Sequence, residues 1–172
     1  MKLLKPILIA SAISAAPLAP AGSPGGLELI ALASSKAAPY TPVVAAYFKR
    51  IGHDGGASQC ENAMVTVDNV QYQSTRQAIS SQMVLEAVFS KKKRQQLGTT
   101  LSKVRDKDVR RGFDGALVYD VVGSDVVFYG VSADATEKVF TARVPVSAID
   151  QPDKVNAALC HILVNLPVLV AP

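Results

Sequence analysis

The residues of this chain with the most chemistry to offer are two cysteines, two histidines and a run of cations: Cys60, Cys160, His53, His161 and Lys91-Lys92-Lys93-Arg94. Cys60 and His161 stand in the order that an exported cysteine hydrolase would use, a thiolate first and an imidazole later, brought together by folding. The residues after Cys60, Glu61-Asn62-Ala63-Met64, lack the helix-opening pattern of such a nucleophile, and neither cysteine belongs to a Cys-x-x-Cys pair. The competing expectation is a structural disulfide between Cys60 and Cys160. Closing a loop of roughly 100 residues stabilises a fold by about 4 to 5 kcal/mol on the chain-entropy argument.

His53-Asp54-Gly55-Gly56 sets an imidazole beside a carboxylate in a glycine-rich stretch. That pair could serve as a base or as half of a metal site, but neighbours in sequence rarely point the same way, and no spacing specifies further ligands. A solvated loop between a helix and a strand is the plainer expectation. No Gly-x-Ser-x-Gly or Ser-x-x-Lys stands in a suitable context for serine chemistry. The sequence therefore assigns no catalytic residue, no metal site and no cofactor, and a non-catalytic role is favoured over an enzyme.

The basic region is broader than its opening run. Lys91, Lys92, Lys93, Arg94, Lys103, Arg105, Lys107, Arg110 and Arg111 fall between positions 91 and 111, offset only by Asp106 and Asp108. Such a segment suits anionic lipid headgroups, lipopolysaccharide phosphates or an acidic partner, through an attraction that salt screens over about 8 to 10 Å. Lys91, Lys92, Lys93, Arg94, Arg105, Arg110 and Arg111 are the candidate contacts. The alternative is a solvated helical face that keeps an apolar protein dispersed.

The amino terminus bears on all of these choices. Met1, Lys2 and Lys5 form a basic head, an apolar run from Pro6 to Leu18 follows, and Ala19-Pro20-Ala21 supplies small residues for a signal peptidase. The expectation is a signal peptide over 1–21 and a periplasmic or secreted product, where paired cysteines tend to be oxidised. A second cleavage motif, Ala31-Leu32-Ala33, is disfavoured because Glu28 interrupts the apolar run before it. The whole chain carries 18 basic and 14 acidic residues; losing Lys2 and Lys5 leaves 16 against 14, which is no nucleic-acid signature. No later apolar run reaches the roughly 20 residues that a bilayer core requires, so no transmembrane span is expected after the signal is removed. No cysteine follows the apolar run to carry a lipid anchor.

The elements that must position these residues are legible in part. Residues 22–40 read as a flexible or loosely docked arm, with Leu27 to Leu32 as a possible first strand, and 41–172 read as a single domain. Thr41 and Pro42 open a helix with Val44, Tyr47, Phe48 and Ile51 on one face, ending at Gly52. His53 to Ser58 follow as a polar loop, and Ala63 to Tyr72 as a strand or strand pair. Ser74 or Thr75 begins a central helix carrying Ile79, Met83, Val84, Ala87 and Val88; Gly98 marks a break, and Leu101, Val104 and Val109 suggest a further helix.

The final third is the most sharply patterned. Ala116 to Val122 and Val126 to Val131 are apolar runs about the turn Gly123-Ser124, Val139 to Val146 is a third strand, and Asp150 caps a last helix carrying Val155, Leu159, Ile162 and Leu163. Strand alternation would bury about half of Tyr119, Phe128, Tyr129 and Phe140, and an exposed Tyr119 and Tyr129 would mark a docking surface. The predicted fold is α+β: an antiparallel sheet that includes a C-terminal three-stranded meander, packed by three to four helices. Over residues 100 to 165, the order of helix, Gly-x-Asp-Gly turn, meander and final helix broadly resembles small α/β envelope domains such as the one that opens TolB. The expected function is an exported, non-catalytic binding or accessory protein of the bacterial envelope, its partner another envelope protein or an anionic lipid or lipopolysaccharide surface. The alternative is the exported hydrolase using Cys60 and His161.

Overall fold

A computed structural model of the chain describes residues 26–53, 57–60, 63–72, 79–104, 109, 111–134 and 138–167. The expected signal peptide, the start of the central helix at Ser74 or Thr75, and Asp54 to Gly56 lie outside them. Ten principal elements follow one another: β1 (Leu27–Ala33), α1 (Thr41–His53), β2 (Ala57–Cys60), β3 (Ala63–Gln71), α2 (Ser81–Phe89), α3 (Lys91–Lys103), β4 (Gly115–Val122), β5 (Asp125–Ser132), β6 (Val139–Pro145) and α4 (Pro152–Leu163).

The class is α+β, as expected, but the sheet is mixed and not antiparallel. Its order is β2-β3-β1-β4-β5-β6, and β1 lies parallel to both β3 and β4. The meander β4-β5-β6 is antiparallel and in register from Gly115↔Ser132 to Val122↔Asp125. Of the two readings of Leu27–Leu32, strand and docked arm, the structure shows the strand, and it is central. The reason is in the composition of Leu-Glu-Leu-Ile-Ala-Leu-Ala: a strand covered on both faces and both edges needs a near-continuous apolar run, not alternation.

Two crossovers of opposite direction explain the layers. From β1 the chain travels through α1 to β3, and from β3 it returns through α2 and α3 to β4, passing β1. Because parallel crossovers are right-handed, opposite directions put their helices on opposite faces. One core accordingly joins Leu27, Leu29, Ala31, Leu117, Tyr119 and Phe128 to Val44, Tyr47 and Phe48 of α1 and Val155, Leu159 and Ile162 of α4. The other joins Ile30, Leu32, Val118, Val127, Tyr129 and Val131 to Val84, Ala87, Leu97 and Leu101. This double cover corrects the expectation for the aromatics. Tyr119, Phe128 and Tyr129 are all buried, because neither face of the sheet centre meets solvent.

Local boundaries also shift. Helix α2 begins at Ser81, where Ser80 in extended conformation accepts the Met83 N–H. Gly98 does not break a helix; it lies inside α3, buried between Leu97 and Leu101, where packing against the sheet outweighs a glycine cost of about 1 kcal/mol. Ala57 and Ser58, expected at the end of the polar loop His53 to Ser58, belong to the strand Ala57–Cys60, which pairs with β3 at the sheet edge. Gly112 has φ +93, and a Cβ there would lie 2.5 Å from the Ser102 carbonyl oxygen, so the turn into β4 can press against the end of α3 only with glycine. Leu166 is buried, and the segment after α4 covers the core as far as Pro167.

Candidate functional site

The first candidate group is the cysteine pair. Edge strand β2 delivers Cys60 and the last turn of α4 delivers Cys160; their Cα atoms are 5.2 Å apart and the sulfurs are bonded. Tyr47 of α1 places its hydroxyl 3.8 Å from Cys160 Sγ, so three elements meet at the bridge. His161 lies exposed beside it, and a cleft of about 180 Å³ is lined by Cys60, Cys160, His161 and Val164. Folding thus does bring Cys60 and His161 together. In the bridged form the sulfur has no thiolate to attack with.

The second group is the basic region, which the fold divides. Lys91, Lys92 and Lys93 occupy the first turn of α3 and are exposed. Ser90 caps this turn by accepting the Lys93 N–H, and no acidic residue stands in it, although a helix N-terminus favours acids over cations. Arg94 turns back and donates from Nη1 to the carbonyl oxygens of Ala87 at 3.0 Å and Val88 at 2.9 Å. Arg111 is drawn inward, with its Nη2 2.8 Å from Asp114 Oδ2 and 3.0 Å from the Gly26 carbonyl oxygen. Lys103 stands at the far end of α3, about 18 Å along the helix axis from Lys91. Arg105 and Arg110 lie outside the described residues. Of the candidate contacts, three lysines share one exposed turn, while Arg94 and Arg111 brace the fold.

Exposed Glu86 reaches across from α2 to Lys93, with 3.3 Å between Oε2 and Nζ. Hydrogen bonds from Gln82 and Lys93, together with the lysine charge, hold its carboxyl below the usual range. Phe89 closes α2 with 78% of its surface exposed, two residues before the lysines begin. The apolar density between Met83 and Phe89 predicts a helix that packs centrally. Helix α2 does pack on the sheet through Val84 and Ala87, but leaves Met83 and Phe89 exposed.

Two further sites carry residues that motif reading passed over. At the carboxyl ends of parallel β1 and β4, Ser34 donates its hydroxyl to Asp120 Oδ1 at 2.5 Å, in a crevice of about 290 Å³ that Lys36, Ser81 and Gln82 also line. Crevices at this end of parallel strands commonly take ligands. Here Asp120 Oδ1 is already engaged by Ser34 and by the Val121 N–H, at 2.8 Å. The other site is an apolar cleft of about 300 Å³ between α1 and the start of α4, lined by Val43, Ala46, Tyr47, Ile149, Pro152 and Val155 with Arg50 and Asp150 at hand. The only signal for the first was the pair Ser34-Ser35 ending an apolar strand; the second depends on a helix contact that no spacing encodes.

Burial pushes the Tyr72 hydroxyl up to about 12, helped by nearby Tyr119, and burial also raises Tyr119, which donates to Thr41 Oγ1 at 2.9 Å. No helix among the described residues is long and apolar enough to cross a membrane. Comparison with known proteins returns no match: no family model, no curated protein and no solved structure is significantly similar to the chain.

Proposed function

We propose that this chain is an exported, non-catalytic binding or accessory component of a bacterial envelope, which meets another envelope protein or an anionic lipid or lipopolysaccharide surface. The observation that carries the reading is the bond between Cys60 and Cys160. It suits an oxidising compartment and occupies the sulfur that a thiol enzyme would need. The basic head and apolar run of residues 1–21 support the same address. Cleavage before Gly22 fits the fold better than cleavage after Ala33, since the second cut would remove the whole central strand β1. The exposed turn Lys91-Lys92-Lys93 supplies the contact surface.

The test is expression of the full chain in a Gram-negative host, followed by fractionation and intact-mass measurement. The expected product starts at Gly22, carries no alkylatable thiol before reduction, and associates with the envelope until salt releases it. Reversing Lys91, Lys92 and Lys93 to Glu moves it to the soluble periplasmic fraction. A cytosolic product with two free thiols overturns the proposal.

The hydrolase reading keeps one observation in its favour, the shared cleft of Cys60 and His161. It requires that reduction yield a fast-alkylating, low-pKa Cys60. Ordinary thiol reactivity after reduction ends it.

A further inference from the structure

We propose that the corner between α2 and α3 is a membrane-contacting wedge, with Phe89 entering the boundary of headgroups and acyl chains of an anionic bilayer while Lys91, Lys92 and Lys93 hold its headgroups. This rests on the envelope-surface reading above, and adds the occupant and the apolar anchor.

Two features within five residues work against the stability of the isolated protein. Phe89 exposes 78% of its surface at the end of a helix that buries Val84 and Ala87 and leaves Met83 less exposed than Phe89. The next residues place three lysine charges in the first turn of α3, the end at which the helix dipole disfavours cations, and the exposed pair of Lys93 with Glu86 offsets this only in part. A lone exposed aromatic needs no explanation. An exposed aromatic contiguous with three exposed cations has the composition of an interfacial anchor, in which apolar contact and attraction to acidic headgroups act together.

The corner is also braced. Arg94 ties the beginning of α3 to the last carbonyl groups of α2, and Ser90 caps α3 across the bend. The Phe89 ring leans on Tyr129 with centroids 6.2 Å apart, which fixes its base while most of the ring stays in solvent. Little ordering entropy is then lost on contact. A bilayer suits this shape better than an acidic protein does. A projecting aromatic needs a matching pocket on a protein, whereas the headgroup boundary yields to it.

The chain contains no tryptophan, so Phe89→Trp introduces a single indole at the tip of the wedge. The bridged protein carrying this substitution is mixed with vesicles of equimolar phosphatidylcholine and phosphatidylglycerol at low salt. The expected result is a blue-shifted emission that acyl-chain bromination quenches, absent with phosphatidylcholine alone. Adding Lys91→Glu and Lys92→Glu should lower partitioning by more than about tenfold, given about fivefold for each lysine near an anionic surface. Phe89→Ser in the natural background should weaken binding while circular dichroism stays unchanged. Salt-sensitive binding without a blue shift or quenching overturns the wedge and leaves the anionic-surface reading standing. No binding to these vesicles at low salt overturns the wedge and the lipid arm of that reading together, leaving a protein partner.

Discussion

A single carboxylate oxygen of Asp114 accepts both the Arg111 guanidinium, at 2.8 Å, and the backbone N–H of Glu28, at 2.7 Å. Asp114 has no exposed surface, and its own backbone continues the stitching: its N–H donates to the Glu28 carbonyl oxygen and its carbonyl accepts the Ala133 N–H. One residue thus links the central strand, the entry to β4 and the exit from β5.

Removing Arg111 would leave that carboxylate buried without its cation. Arg111→Met is expected to destabilise the fold by about 3 to 5 kcal/mol, because an uncompensated buried charge costs more than the pair contributes. Adding Asp114→Asn should recover part of the loss, as the two residues act as a unit. Urea unfolding of the two single variants and the double variant measures the coupling. Additive losses would show that the ion pair carries none of it.

The bridge ties β2, at the sheet edge, to α4, which covers the meander. Reduction, or the double change Cys60→Ala with Cys160→Ala, is expected to cost about 2 to 5 kcal/mol. The comparison is the urea midpoint with and without dithiothreitol. Equal midpoints would mean that the unreduced protein carries no such bond.

What the sequence revealed depended on whether its signal was local. The turn Gly123-Ser124 between two β-branched runs specified the hairpin, since a two-residue turn fixes register within its own neighbourhood. The pairing of Cys60 with Cys160 was legible by count. The central place of β1 was not, because the same apolar run suits a docked arm, an edge or a core strand, and only its pairing with Val70 of β3 and Leu117 of β4 decides. The burial of Tyr119 and Tyr129 followed from that decision. The basic region failed as a unit for a related reason: sequence counts charges, whereas the fold directs Arg111 to Asp114 and Arg94 to the end of α2, and leaves the three lysines outside.

Alkaline pH supplies a third test. Tyr72 titrates near 12 in the folded chain, against about 10 for an unperturbed tyrosine. A raised value means that the folded state holds the proton more tightly than the unfolded state does. The stabilisation from this residue is therefore whole below pH 10 and is lost as pH climbs from 10 to about 12. Tyr72→Phe should flatten the fall in melting temperature across that window. Phenolate absorbance of the wild type should show at least one tyrosine titrating above the free value. A single transition at the ordinary value for all five tyrosines would contradict the burial of Tyr72.

The contact of α4 with the meander gives the sharpest packing test. Gly130 lies in the middle of β5, and a Cβ built there would stand 2.3 Å from Ile162 Cγ2. Ile162 is fully buried and β-branched, so its methyl cannot swing aside within a preferred rotamer. Gly130→Ala must therefore push α4 away from the sheet, and overpacking of this kind costs about 1 to 3 kcal/mol. Ile162→Ala alone leaves a cavity and should cost about 2 to 5 kcal/mol. Combining them places the new methyl where the lost branch was, so the double variant should be more stable than the sum of the two losses predicts. Because α4 also carries Cys160, the displaced helix in Gly130→Ala should strain the position of the bridge as well. Slower reformation of the disulfide after reduction would report it, while unchanged stability in Gly130→Ala would show that α4 does not sit on β5 at this distance.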